Sequence, residues 1–324
     1  MQTDWTWLTD GLIAPYMIDH NICIRVAFVN RKGGPGKSSN LVNLAGELAL
    51  RGHNVGIVDT DSQGGSHAAR LLGLEQEDGL FHALIGIPDG GTPDDPHFLL
   101  LPLEEHVRQV PLDSYLAPLA LINDSGEVVQ APDDAPPIQP GNIYALPAGP
   151  NTFQIPWLLA DETKFEALLQ DMTEKYRLSV ILIDTGPSMN LFDGVIYEAM
   201  NAFVYVTELE ALSLFALSDV FQQVENASLR RQQRGRTPNR VLGIIPNKFR
   251  SLKEHTENLI ELRKTFGSMV WEPVRLLKTY PKMAKYGQTI RALSTRTPEA
   301  REVVMTAHQF EREVLAWLEQ SASR

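Results

Sequence analysis

Asn30-Arg31-Lys32-Gly33-Gly34-Pro35-Gly36-Lys37-Ser38-Ser39 decides the fold of this chain. Gly36-Lys37-Ser38 fit the end of the phosphate-loop pattern G-x-x-x-x-G-K-[ST], while position 31, where its first glycine belongs, is arginine. The physical logic survives that departure. Glycines let successive backbone N–H groups converge on phosphate oxygens, so Gly33, Gly34, Pro35, Gly36, Lys37, Ser38 and Ser39 form a candidate cradle. Lys37 supplies a point charge to the β- and γ-phosphates, and the Ser38 hydroxyl is a candidate ligand for Mg2+. The flanks agree. Ile22 to Val29 is a short apolar run rich in β-branched residues, expected to be a buried strand. Leu41, Leu44, Ala45 and Leu48 then recur at helical spacing until Gly52. Strand, glycine loop and helix together aim a helix N-terminus at an anion.

Two further strand ends carry acids. Val55 to Asp59 is expected to be a strand, followed by Thr60-Asp61-Ser62-Gln63-Gly64-Gly65-Ser66. Asp59 and Asp61, two positions apart where strand gives way to loop, can both approach a metal–phosphate centre. Farther on, Asp161 to Tyr176 has Phe165, Leu168, Leu169, Met172 and Tyr176 on one helical face. The continuous apolar run Ser179 to Ile183 then has the pattern of a central parallel strand, ending in Asp184-Thr185-Gly186-Pro187-Ser188. An ionised Asp184 at such a place needs a partner, since burying an unpaired carboxylate is costly; magnesium, through a water, is the natural one.

With Lys32 five residues before Lys37, these three segments resemble the ParA/MinD family of deviant Walker A ATPases, most closely its small ParA type. The family's loop is K-G-G-x-G-K-[ST], its first switch D-x-D-P-Q-G-N and its second D-x-P-P-S. Here Ser62 replaces a proline, Gly65 an asparagine and Gly186 a proline. The resemblance implies that Lys32 reaches the nucleotide of a partner subunit, that Asp61 orients the attacking water, and that Asp59 holds a magnesium-bound water. ATP and Mg2+ are the implied cofactors.

Composition agrees with a soluble nucleotide-binding protein. No apolar run approaches the ~18 residues needed to span a bilayer, and the N-terminus lacks a basic patch followed by an apolar core. Cys23, the single cysteine, is expected to be a small core residue of the first strand; alone it ligates no iron–sulfur cluster. Residues 1–21 form an aromatic-rich extension with Trp5, Trp7 and Tyr16, too short for a DNA-reading domain. Residues 22–324 are expected to be one domain. From Ile87 to Pro150 there are 12 prolines and Arg108 is the one Lys or Arg, which excludes long helices and central strands. About residues 90–140 are accordingly expected to be an insertion, after which Ile143 to Gly149 returns to a strand of the sheet.

Charge is unevenly spread. The net is −11, yet residues 201–324 carry 19 Lys/Arg against 13 Asp/Glu, and residues 230–301 carry 17 against 5. Such asymmetry is a cue for nucleic-acid contact. Arg250, Lys253, Lys278, Lys282, Lys285 and Arg291 are the candidate phosphate contacts, of the sequence-independent kind. The resemblance implies such binding to DNA only by an ATP-bound homodimer. For the base, related GTPases carry N-K-x-D where this chain has Asn247-Lys248-Phe249-Arg250. Arg250 is donor-only and cannot accept from guanine; Asn247 both donates and accepts, which favours adenine. No I-P-R segment follows; Leu276 to Pro281 departs from it.

The expected protein is an α/β, doubly wound P-loop NTPase with a mostly parallel sheet flanked by helices. Its expected function is that of a DNA-binding partition ATPase, cytoplasmic and nucleoid-associated, reset by a ParB-like or other adaptor. Two alternatives stay open: a MinD-like membrane-cycling ATPase, and a metabolic ligase or synthetase on the same fold. The first needs a C-terminal amphipathic helix with a basic face. The last helix, from Thr297, instead shows a core-facing stripe and Glu311, Glu313 and Glu319, so no membrane partner is expected.

Overall fold

A computed structural model describes residues 13–61, 66–92, 95–123, 127–130, 138–187, 191–276, 278–293 and 297–322. Trp5, Trp7, the switch residues Ser62, Gln63, Gly64 and Gly65, Leu277, and Ser188 lie outside them.

The chain opens with helix α1 (Ala14–Asp19), whose Ala14 and Met17 are buried, so the end of the extension packs on the body. Strand β1 (Ile24–Val29), helix α2 (Lys37–Leu50) and strand β2 (Val55–Asp59) follow. Two short helices, α3 (His67–Leu71) and α4 (Gly79–Leu84), lead into the proline-rich stretch. Proline allows only short pieces there. A hairpin joins β3 (Ile87–Thr92) to β4 (Asp95–Leu99), a two-residue strand is β5 (Arg108–Gln109), and a second hairpin joins β6 (Ala120–Ile122) to β7 (Val128–Gln130). The body resumes with β8 (Ile143–Leu146), α5 (Ile155–Leu158), α6 (Thr163–Tyr176) and β9 (Val180–Asp184). It continues through α7 (Leu191–Ala199), β10 (Ala202–Glu208), α8 (Ala211–Gln233), β11 (Arg240–Asn247) and α9 (Lys253–Phe266). Helices α10 (Tyr280–Tyr286), α11 (Ile290–Leu293) and α12 (Thr297–Ala322) close it.

Seven strands form one sheet in the order β11-β10-β1-β9-β2-β8-β5. All pairings in it are parallel except β5 with β8, where the proline-rich stretch adds an antiparallel edge. Alternation along β1 explains the layering. Val26 and Phe28 point to a core with Leu41, Leu44 and Leu48 of α2 and Val303, Ala307, Phe310 and Val314 of α12. Ala27 and Val29 point to the other core, with Phe165 and Leu169 of α6, Phe192 of α7 and Leu217 of α8. The stripe on the last helix is therefore spent on the core, as its sequence predicts. Cys23 lies one residue before β1 rather than within it, and is half-buried.

Because the strands are parallel, β1, β2, β9, β10 and β11 end on one edge of the sheet. The glycine loop, Asp59, Asp184, Glu208 and Asn247 all stand at those ends, where open α/β sheets bind ligands.

The arginines of the basic half need one correction. Arg291 was expected to meet DNA phosphates, but it is buried, at 3% exposure. Its Nε donates to Glu47 Oε1 at 2.5 Å, Glu47 being fully buried on α2, and its Nη2 donates to the Pro118 carbonyl. A count of charges does not see that its partner lies 244 positions earlier. Beside it Arg51 pairs with Glu311 at 2.7 Å and donates to the Ala120 carbonyl, so two buried arginines clamp the proline-rich stretch at Pro118 and Ala120. Arg291→Leu is expected to cost about 3–5 kcal/mol, the penalty for stranding a buried charge, read by chemical denaturation. Adding Glu47→Leu should recover most of that loss.

Candidate functional site

The loop from Asn30 to Gly36 is held at both ends. Asn30 is buried at the end of β1; its Nδ2 donates to the Val206 carbonyl and its Oδ1 accepts from the Lys32 N–H at 2.7 Å. At the other end Gly36 has φ +94°, in the left-handed region that disfavours a side chain. A Cβ there would also sit 2.1 Å from Asn247 Nδ2. Helix α2 begins at the next residue, so its free N–H groups face the loop.

Lys37 is nearly buried, at 7% exposure, and its Nζ lies 3.4 Å from the Asn30 carbonyl. Burial pushes its pKa down; the charges of Asp184, Asp61, Asp59 and Asp193 push it back up. The cation thus stands in an acidic nest with no salt bridge to a carboxylate among the described residues, ready for an anion.

The three predicted acids converge here but differ in environment. Asp59 and Asp184 are register partners at the ends of β2 and β9, both 1% exposed, and burial raises both pKa values. Asp59 is well engaged. It accepts from the Asp61 N–H at 3.0 Å, the Ser66 hydroxyl at 2.7 Å and the Ala68 N–H at 3.3 Å. Ser66 in turn caps α3. Asp184 is the opposite case. Both of its buried oxygens lack a hydrogen bond of full geometry among the described residues, although the Ser38 hydroxyl and Lys37 lower its pKa against burial. That orphaned carboxylate beside a serine hydroxyl fits the donor set of a hydrated magnesium ion. Ser38 and Asp184 are therefore the better-placed pair, and Asp59 is tied to the loop that follows it.

Asp61 stands at the cavity wall, its side chain 14% exposed, with His67 Nδ1 at 3.8 Å. A Cβ on Gly186 would meet Asp61 Oδ1 at 2.9 Å, so glycine there leaves the carboxylate its room.

The loop, Lys37, Ser38 and Asp61 line one open cavity of about 490 Å³, with His67, Arg70, Thr185, Lys248 and Ala284 of α10 also in its wall; Asp59 and Asp184 lie outside that lining. The cavity falls in the size range of small-molecule sites. A cleft of about 600 Å³ between α6 and α7 is larger, but its Arg234 and Arg236 are already paired with Glu198 and Glu166.

Asn247 contributes only half of its expected contact. Its Nδ2 donates to the Pro35 carbonyl at 2.6 Å, while its buried Oδ1 has no partner among the described residues. An acceptor is left free, which suits the amino group of adenine. Lys32 bends back onto its own chain, 2.7 Å from Glu208 and 3.1 Å from Glu210.

Of the predicted DNA contacts, Arg250, Lys253, Lys278, Lys282 and Lys285 are exposed. Arg250 is near the α10 approach, since Phe249 exchanges backbone hydrogen bonds with Val274 and Leu276. Much of the remaining surplus is neutralised: Arg230 and Arg234 on Glu198, Arg236 on Glu166, Arg263 on Glu272, Arg275 on Glu302.

Sequence reasoning missed Asn30, Ser66 and the role of Lys248. Ser66 had a signal, as a serine heading a helix just past two acids; Asn30 and Lys248 had none beyond their type.

Comparison with known proteins agrees with this geometry. The family model described as the CobQ/CobB/MinD/ParA nucleotide binding domain matches residues 26–290. The chromosome-partitioning ATPase Soj of Thermus thermophilus is 36% identical over 128 residues, 38% of this chain and 51% of that protein. The chain spans about half the length of that relative, and 34% of the length of two iron–sulfur cluster carrier proteins from Pyrococcus species that it also matches. Among solved structures, an ATP complex of an aspartate-to-alanine variant of McdA from Cyanothece aligns with TM-score 0.62 at 14% identity, over 91% of this chain and 96% of that one. MinD from Pyrococcus horikoshii with Mg-ADP aligns with TM-score 0.61 at 17% identity, over 88% and 95%. Identities that low speak to fold alone. With the loop, the strand-end acids and the matched family model in agreement, this chain belongs to the CobQ/CobB/MinD/ParA nucleotide-binding family, within its ParA/MinD branch.

Proposed function

We propose that this protein is an ATP-dependent, dimerising partition ATPase that binds DNA without sequence preference and positions a cargo, hydrolysis resetting the cycle. The observation that carries the reading is the edge where a buried, anion-ready Lys37, the buried Asp184 beside the Ser38 hydroxyl and the cavity-lining Asp61 act on one another. ATP phosphates fit the loop and Lys37, and the free Oδ1 of Asn247 suits adenine. A magnesium ion held by Ser38, and through water by Asp184, supplies neutralising charge to the phosphates when bound. Asp61 orients the water, and catalysis is mainly positioning and electrostatics. Lys32 serves the nucleotide of the second subunit, and a ParB-like or other adaptor stimulates turnover. That the relatives include a chromosome-partitioning ATPase supports this reading over a ligase.

DNA binding is the sharpest test. Lys282 and Lys285 are exposed on α10, the helix whose Ala284 borders the nucleotide cavity, so DNA contact and nucleotide state are neighbours. Unrelated duplexes should bind with similar affinity, only with ATP, and with steep salt dependence. Each neutralised phosphate contributes roughly −0.9 to the log–log slope. Replacing Lys282 and Lys285 by alanine together should weaken binding on every sequence and flatten that slope, with ATP affinity unchanged. Fluorescence anisotropy across a salt series measures both. Absence of ATP-dependent binding by the wild type at low salt would end the partition reading.

A further inference from the structure

Two lysines share one carboxylate beside the nucleotide loop. Glu208 ends β10 as the register partner of Asn247 on β11. Its side chain is only 12% exposed. Oε2 accepts from Lys32 Nζ at 2.7 Å, and Oε1 accepts from Lys248 Nζ at 2.6 Å. Lys248 also donates to the Gly34 carbonyl, at 2.5 Å, on the crest of the loop. Surface lysine–glutamate pairs are common and weak. This one differs in the burial of its carboxylate, in the doubling of cations, and in its tie to the loop backbone.

Backbone geometry is arranged around it. Lys248 has φ +53°, a left-handed conformation that a side chain rarely adopts. The residues on either side fix it: Asn247 is pinned to the Pro35 carbonyl, and the Phe249 N–H donates to Val274. Such strain persists where the surroundings over-determine it, and it clusters at functional sites.

We propose that Glu208 is the positioning residue that holds Lys32 within its own subunit, and that Lys248 lets this grip be exchanged for the phosphates presented by a second copy of the chain. The inference rests on the reading of Lys32 as a lysine that serves a partner's nucleotide. A triphosphate outcompetes two carboxylates for Lys32 by charge. Glu208, left alone and mostly buried, would resist that exchange, because an unpaired carboxylate is costly there. Lys248 stays on Oε1 and removes the obstacle. Burial pushes the Glu208 carboxyl up, but its two lysines more than offset it, leaving it below its ordinary range. Lys32 is pushed up, first by Glu208 and then by Glu210.

Trace acylation of lysines with acetic anhydride, read by mass spectrometry on the nucleotide-free full chain, tests the grip. Lys175, exposed and paired with Glu104, is the internal reference. Glu208→Gln should raise Lys32 labelling about threefold or more relative to Lys175, and adding Glu210→Gln should raise it further. Unchanged labelling in both variants overturns the grip whether or not the protein dimerises. ATP titrations followed by light scattering test the exchange. With each variant's ATP concentration scaled to its own affinity for a fluorescent ATP analogue, Glu208→Gln should self-associate at lower ATP than wild type, Lys248→Met at higher ATP, and Lys248→Arg should restore the wild-type midpoint. Opposite shifts are not what general damage to the loop produces. Shifts in the same direction overturn the exchange. A wild type that stays monomeric in ATP overturns the dimer reading, and the exchange with it, while the labelling still decides the grip.

Discussion

Lys37→Ala is expected to lower affinity for ATP by at least about 30-fold. The residue is 7% exposed, and Asp184, Asp61, Asp59 and Asp193 all act on it electrostatically. Removing it takes away the main cation of the cradle and leaves those acids facing the phosphates. Loss of one partner of a buried charged contact costs about 2–5 kcal/mol, and 1.4 kcal/mol is a tenfold change. The magnitude therefore follows from charge more than from hydrogen-bond count. Titration with a fluorescent ATP analogue measures it, with circular dichroism to establish that the variant is folded. Affinity within threefold of wild type in a folded variant would refute the assignment of the phosphate loop.

The phosphate loop was legible because its chemistry is contiguous: a glycine run, a lysine and a serine within ten residues, between a strand and a helix that each announce themselves by period. Asp59 and Asp184 were legible for the same reason, as charges that end apolar runs. What the sequence hid depends on pairs that only the fold makes. Glu208 meets Lys32 across 176 positions and Lys248 across 40. Arg291 looked like one more surface cation until Glu47 was found beneath it. The lack of long elements in the proline-rich stretch was recognisable by composition, but that its Arg108–Gln109 pair would extend the main sheet was not: two residues carry no periodicity. Asn247 was half legible. Its place beside the phosphate loop is seen in the fold, yet the sequence could not tell that its donor is spent on the Pro35 carbonyl.

Asp61→Ala is expected to leave ATP binding within a few-fold of wild type and to cut turnover by about 10²–10³. The two effects separate because of where Asp61 stands. Its backbone N–H, not its carboxylate, is what ties it to Asp59, and that hydrogen bond survives the substitution. The carboxylate lines the cavity beside the unsubstituted Gly186, with Lys37 across the site. A group that orients or deprotonates the attacking water acts mainly on the transition state, and such groups contribute typically 10²–10⁴-fold. Removing an acid from the neighbourhood of the phosphates does not weaken their binding; if anything it removes a repulsion. ATP therefore still binds, the subunits still close, and the complex persists because hydrolysis no longer resets it. Size-exclusion chromatography with ATP should show a long-lived dimer where wild type returns to monomer as ATP is consumed. Asp61→Asn separates charge from shape, since it keeps the side-chain volume and still should not turn over. A variant that hydrolyses ATP at the wild-type rate removes Asp61 from catalysis. One that binds ATP and remains monomeric removes the trapped dimer, and Lys37 would then serve a nucleotide that never meets a second subunit.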